Sequence, residues 1–135
     1  MTMTTPPKSY LQAAQVVPGL TVNDLAKSLA FYQGLGFAVG ERWEDKGKLL
    51  GVMLHAGTGM LGLSQDDFAK GKDRVKGVGM RTWITTEQDI DEIAARAKAA
   101  GVTLDGEPED YPWGGRGFAV TDPDGFKLTI SREQK

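Results

Sequence analysis

The chain has 135 residues, no cysteine, and 16 Lys plus Arg against 18 Asp plus Glu, for a formal net charge of −2. Such a length suits one domain, or two tightly packed halves, and can bury a core. The near-neutral balance, with no basic run interleaved with aromatics, argues against a nucleic-acid or anionic-membrane partner. The lack of cysteine removes disulfides, thiolate zinc sites and a thiol nucleophile, and fits a reducing, cytoplasmic compartment.

Residues 1–10 are Thr/Pro-rich, without the charged flank and apolar centre of a signal peptide, and read as a disordered tail. No apolar stretch approaches the roughly 20 residues that span a bilayer. Residues 13–22 are rich in Val and Leu and read as a strand. Thr21 and Asp24 form a T-x-x-D capping signal for a helix with Leu25, Leu29 and Tyr32 on one face, which stops at Gly34 or Gly36. Residues 37–43, 49–55 and 60–64 then read as strands, separated by turns at Asp45-Lys46-Gly47 and Gly57-Thr58-Gly59. This is a β-α-β-β-β module over residues 11–65, and a polar linker occupies 66–76.

The pattern then repeats. Thr86, Asp89 and Gly101 follow Thr21, Asp24 and Gly36 by 65 positions each, so the chain is an internal duplication. A second βαβββ module runs from 77 to 132. A strand over 77–85 leads to a helix over 87–100, with Ile90, Ile93, Ala94 and Ala97 inward. Strands at Val102, Gly117 and Phe126 follow. Asp122-Pro123-Asp124-Gly125 places Pro and Gly where a hairpin turn uses them. The fold class is α+β, with paired βαβββ modules forming a half-open, barrel-like cup.

Gly57 to Gly62 matches G-x-G-x-x-G, but it leads into the alternating Met60 to Ser64 run and opens no helix, so a hairpin turn replaces the dinucleotide reading. His55 is the sole histidine, at a strand end with no partner evident in the sequence; an edge or packing role competes with a site role. The acidic residues Glu41, Glu44, Asp45, Asp66, Asp67, Glu107, Glu109 and Asp110 are dispersed through polar stretches and read mainly as solvated surface. Tyr111-Pro112-Trp113-Gly114-Gly115-Arg116 is different, because this Gly-rich lead-in does not require a core Trp. A Trp beside an Arg suits an aromatic, partly anionic ligand, with a structural role as the alternative. No catalytic set emerges.

The paired modules, Val22-Asn23-Asp24 leading to Phe31-Tyr32 and Gly34-Leu35-Gly36-Phe37, and Pro112-Trp113-Gly114 followed by Phe118-Ala119-Val120 and Asp122-Pro123-Asp124-Gly125 together resemble the vicinal oxygen chelate superfamily. This is the glyoxalase, bleomycin-resistance and extradiol-dioxygenase group. The resemblance implies that metal-dependent members would mount their ligands at the positions of Val17, Gly62, Thr82 and Thr129. None of these supplies an imidazole or carboxylate, so no metal and no cofactor is expected. It also implies that Gly19, Gly62, Thr82, Ala119 and Thr129 line the cup, while Leu20, Val22, Leu61, Leu63, Leu128 and Ile130 face the helices. Trp83 would then fall on the helix side.

The expected function is metal-free capture of an aromatic or amphipathic metabolite or antibiotic by a cytoplasmic homodimer. The ligand-binding residues would be Trp113, Arg116, Tyr111, Met53, His55, Met60, Met80, Thr82, Trp83 and Thr129. The competing expectation is an enzyme, a lyase, isomerase or dioxygenase, with a displaced metal site at His55 or metal-free acid–base chemistry by Glu41, Asp110 or Tyr111.

Overall fold

Alternation of apolar and polar residues builds two four-stranded sheets, each with one helix on its inner face. The computed structural model describes residues 5–133; residues 1–4 of the expected tail, and 134–135, lie outside the described residues. The first module contains β1 (Gly19–Val22), α1 (Leu25–Leu35), β2 (Ala38–Asp45), β3 (Lys48–Ala56) and β4 (Gly59–Gln65). The second contains β5 (Arg81–Thr85), α2 (Ile90–Ala99), β6 (Glu109–Asp110), β7 (Arg116–Thr121) and β8 (Lys127–Arg132). The sheets run β1-β4-β3-β2 and β5-β8-β7-β6, parallel only at β1–β4 and β5–β8. The duplicated α+β architecture is therefore as expected from the sequence, and no closed barrel forms.

Several boundaries differ. β1 spans only Gly19–Val22, so residues 13–18 run irregularly. The strand expected at Val102 is reduced to a bridge from Leu104 to Val120, with β6 added at the sheet edge. Residues 77–80 form a turn ahead of β5, where two glycines at φ +78° and +77° interrupt the extended chain. Each helix is capped by Asp rather than by the Thr of the expected capping signal. Asp24 accepts from the Lys27 N–H and Asp89 from the Glu92 N–H, both at 3.2 Å.

Helix ends repeat as the sequence indicated. Gly36 and Gly101 lie at φ +117° and +91°, and the next residue in each case, Phe37 or Val102, donates its N–H to Tyr32 O or Ala97 O at 2.9 Å. That is a Schellman stop, for which glycine is the natural residue.

Strand register does not keep the same spacing. Leu20 pairs with Leu63 in the first module and Ile84 with Ile130 in the second. The first strands are thus related by 64 positions and the helices by 65. One residue, Asn23, joins β1 to the α1 cap, whereas residues 86–88 join β5 to the α2 cap, with the Gln88 N–H bonded to the Thr86 hydroxyl. A shift of one residue reverses every side chain on a strand. Thr82 therefore pairs with buried Leu128 on the helix side, and Trp83 pairs with Thr129 on the open side. Both are the reverse of the faces expected from the count.

The two modules share one buried core, in which Leu20, Val22, Leu61 and Leu63 of the first meet Phe118, Val120, Leu128 and Ile130 of the second around the helices. α1 packs on its sheet, α2 on the other, and the helices touch each other. At Gly34 a Cβ would lie 2.9 Å from Val102 Cγ2, so this crossing admits only glycine without adjustment. The buried Tyr32 hydroxyl donates to Asp122 Oδ2 at 2.7 Å, across the module boundary. Burial, with the facing Asp122 charge, pushes the Tyr32 phenol well above its ordinary value.

The segment after β4 is anchored by Asp66, whose side chain is buried and accepts from Lys76 at 2.7 Å, Arg74 at 2.9 Å and the Phe68 N–H at 2.8 Å. The Lys76 hydrogen bond, followed by that of Phe68, holds its carboxyl down at about 2.

Two outcomes follow from these contacts. Tyr32→Phe leaves ring packing intact and is expected to lower the unfolding free energy by about 1.5–3 kcal/mol, the range for a hydrogen bond to a charged group; urea titration checks this. Because the folded-state pKa of Asp66 is depressed, its stabilisation is present above the unfolded value of about 3.9 and is lost as pH falls toward the folded value. The stability gap between wild type and Asp66→Asn should therefore be flat above about pH 5 and close on further acidification, as read from denaturation at several pH values.

Candidate functional site

Both sheets leave one face without cover from their own chain. With the helices between the sheets, these open faces turn away from one another, and large side chains stand on them: Trp43 is 51% exposed and Trp83 61%.

On the second sheet the register places Arg81, Trp83 and Thr85 beside Lys127, Thr129 and Ser131, with Gly117, Ala119 and Thr121 on the next strand. Thr129 is buried, and its hydroxyl accepts from Arg81 Nη1 at 2.9 Å. Gly117 makes room for an aromatic: a Cβ there would lie 2.6 Å from the Tyr111 hydroxyl. Tyr111 stacks on Trp113, with ring centroids 4.8 Å apart and planes at 13°. The loop holding them is closed by Tyr111 N–H to Gly115 O and Gly114 N–H to Tyr111 O, both 3.0 Å. Burial and the nearby Glu109 charge raise the Tyr111 pKa, while Arg81 opposes them. The face thus joins a guanidinium to Trp83 and a stacked Tyr–Trp pair.

On the first sheet, Met53 pairs with Gly62 and His55 with Met60, all on the open face, and Trp43 lies over Gly51. His55 lies against Gly40, where a Cβ would be 2.4 Å from Nε2. Its Nε2 is 3.5 Å from Glu41 Oε2, a partner the sequence did not disclose.

The site residues expected from sequence therefore divide. Met53, His55 and Met60 gather on one open face; Trp83, Thr129, Tyr111 and Trp113 gather at the other. Met80 precedes β5, beside a cleft. Thr82 lies beneath α2, as the register requires. Arg116 also points elsewhere: it pairs with Arg132 in register on the helix side, grips Asp91 through Nε and Nη2 at 2.9 and 2.8 Å, and reaches Asp110 at 3.2 Å. These carboxylates hold the guanidinium protonated, and Arg116 in turn lowers the Asp91 pKa. These contacts tie α2 to the sheet edge, where Arg116 and Tyr111 both line a shallow cleft of about 690 Å³. Arg81, which the sequence reading passed over, is the cation among the aromatics. The signal for it was its spacing of two from Trp83 on an alternating strand.

A divalent metal does not fit these residues. Val17, Gly62, Thr82 and Thr129 offer no imidazole or carboxylate, and the register centres Gly19–Gly62 and Trp83–Thr129 instead. His55 and Glu41 are two potential donors, and no group of three or more His, Asp or Glu residues suited to a metal occurs among the described residues. None of the described helices is long and apolar enough to cross a membrane.

The sequence matches the family model of the Glyoxalase/Bleomycin resistance protein/Dioxygenase superfamily over residues 12–130. No curated protein matches it significantly. Among solved structures the chain is similar to TioX from Micromonospora sp. ML1, at 22% identity over 90% of this chain and 99% of that one, with a TM-score of 0.71. It is also similar to the bleomycin resistance determinant encoded on transposon Tn5, at 24% identity over 91% and 100% of the chains and a TM-score of 0.68. Lactoylglutathione lyase from Agrobacterium tumefaciens matches at 18% identity over 90% and 94%, with a TM-score of 0.63. With a model that covers nearly the whole chain and a duplicated βαβββ fold, the chain belongs to the glyoxalase/bleomycin resistance protein/dioxygenase superfamily.

Proposed function

We propose that this chain is a cytoplasmic small-molecule-binding protein that captures an aromatic or amphipathic compound without a metal. The observation that carries this reading is the uncovered face of the second sheet, where Arg81, Trp83, Thr129 and the Tyr111–Trp113 stack converge. Exposed aromatics beside a cation recognise flat, polarised molecules by stacking and charge. A single chain offers only half of an enclosure on each side. A C₂ homodimer with the first sheet of one chain over the second sheet of its partner would enclose the ligand and cover Trp43, Met53 and Met60, whose flexible thioethers adapt to shape.

The alternative, an enzyme, draws on the His55–Glu41 contact, which could relay a proton or begin a metal site. The binding reading expects metal well below one equivalent per chain after purification and reconstitution; elemental analysis finding a full equivalent would overturn it in favour of the enzyme.

Tryptophan fluorescence titrated with a panel of aromatic glycopeptides, quinones and polyketides should show a saturable change with at least one member. Trp83→Ala should weaken that binding roughly tenfold, whereas Arg116→Gln should leave it unaltered because that guanidinium is held by Asp91. A flat response across the panel counts against the proposal. Light scattering should return twice the chain mass.

A further inference from the structure

The turn ahead of β5 and the hairpin between β7 and β8 enclose a cleft of about 660 Å³, lined by residues 76–81 together with Gly125 and Lys127. It adjoins the face described above, and no acidic residue lines it. We propose that this cleft is an anion site, and that the compound captured by the aromatic face carries a carboxylate or phosphate group seated there. This inference rests on the binding reading for the aromatic part of the ligand, but the anion site stands on its own observations.

The first is the placement of charge. Arg81 begins β5 and Lys127 begins β8, and they are direct partners in the parallel register, so both stand on the open face. Like charges directly opposite one another destabilise a sheet. Among the described residues neither cation forms an ion pair with a carboxylate. Arg81 donates to the neutral Thr129 hydroxyl. Asp105, held against the neighbouring strand β7, accepts from the Thr121 hydroxyl at 2.8 Å and makes no ion pair with Lys127. Lys76, the third cation at the cleft, is neutralised by Asp66. Arg81 and Lys127 therefore leave two adjacent positive charges, which an anion would relieve.

The second observation is how the cleft is built. Gly77 lies so close to the hairpin that a Cβ would be 2.2 Å from Gly125 O, which presses the 77–80 turn against the strand ends. Backbone contact, rather than mobile side chains, shapes this wall. Trp83 lies two residues beyond Arg81 on the same face, so a ring stacked there carries its acidic group toward the cations. An anionic oxygen between guanidinium and ammonium makes charge-assisted hydrogen bonds, stronger than those to a neutral group.

The test uses the intact protein and a matched pair of probes, naphthoate and naphthalenemethanol, with inorganic phosphate as a separate arm. Wild type should bind naphthoate about tenfold more tightly than the neutral alcohol, and the preference should vanish in Arg81→Gln/Lys127→Gln. Equal affinities in wild type, or a preference that survives both substitutions, would overturn the anion site while leaving aromatic capture standing. Should neither ring compound bind, the reading of aromatic capture fails and phosphate decides the remainder. Saturable amide shifts confined to residues 77–81 and 125–127, lost in the double variant, support the site; shifts reproduced by sodium chloride at equal ionic strength refute it. As an independent check, Lys127→Gln should raise the melting temperature at low ionic strength, and phosphate should stabilise wild type more than this variant; a lowered melting temperature opposes the repulsion on which the inference depends.

Discussion

The hydrogen bond from Tyr32 to Asp122 is the contact on which the arrangement of the two modules depends. It joins the C-terminal part of α1 to the turn that closes the second sheet, with both side chains buried. The same carboxylate accepts the N–H groups of Asp124 and Phe126, at 2.9 and 2.8 Å, so it shapes its own hairpin while it holds the first module. Burial raises the Asp122 pKa, and these three donors act against that rise. Tyr32 also meets Phe37 edge to face, with centroids 5.6 Å apart, so one side chain serves both the core and the polar junction. Asp124, two residues further along the turn, receives the Asn23 N–H at 2.9 Å and extends the junction to the start of α1.

Fixing the modules helix to helix has a functional consequence. The apolar stripe of each helix and the inner face of each sheet are consumed in a shared core, and the opposite faces are left outward. On those faces the side chains are large, aromatic or charged, and small residues at Gly19, Gly62 and Ala119 leave space between them. Exposed apolar patches are what ligand grooves and partner interfaces present, and the proposed binding function rests on this surface. The relation to the superfamily rests on the fold, which hosts more than one chemistry, so function has to be argued from the side chains present.

Much of the architecture could be read from the chain because its cues are local. The T-x-x-D signals marked both helix starts, although Asp24 and Asp89 rather than the threonines supply the caps, Gly36 and Gly101 stop the helices, and Lys46-Gly47 turns a hairpin with both residues at positive φ. The candidate site was less legible. Trp113 and Arg116, three residues apart, looked like a pair, yet the stack of Trp113 on Tyr111 and the grip of Arg116 on Asp91 send them to different surroundings. His55 showed no neighbour in sequence because Glu41 reaches it across a strand pair with an irregular register.

By itself the sequence determined the duplication, the helices and their glycine stops, the hairpin turns, and that Val17, Gly62, Thr82 and Thr129 carry neither imidazole nor carboxylate. Each of these depends on residue type or on spacing within a few positions. Which face each strand presents was decided only in the tertiary structure. The pairing of β5 with β8, out of phase with the 65-residue spacing of the helix caps, places Trp83 and Arg81 on the open face and Thr82 beneath the helix. Side chains alternate with a period of two, so the pairing between β5 and β8, set by packing of Ile84, Leu128 and Ile130 in the core, outweighed the count along the chain.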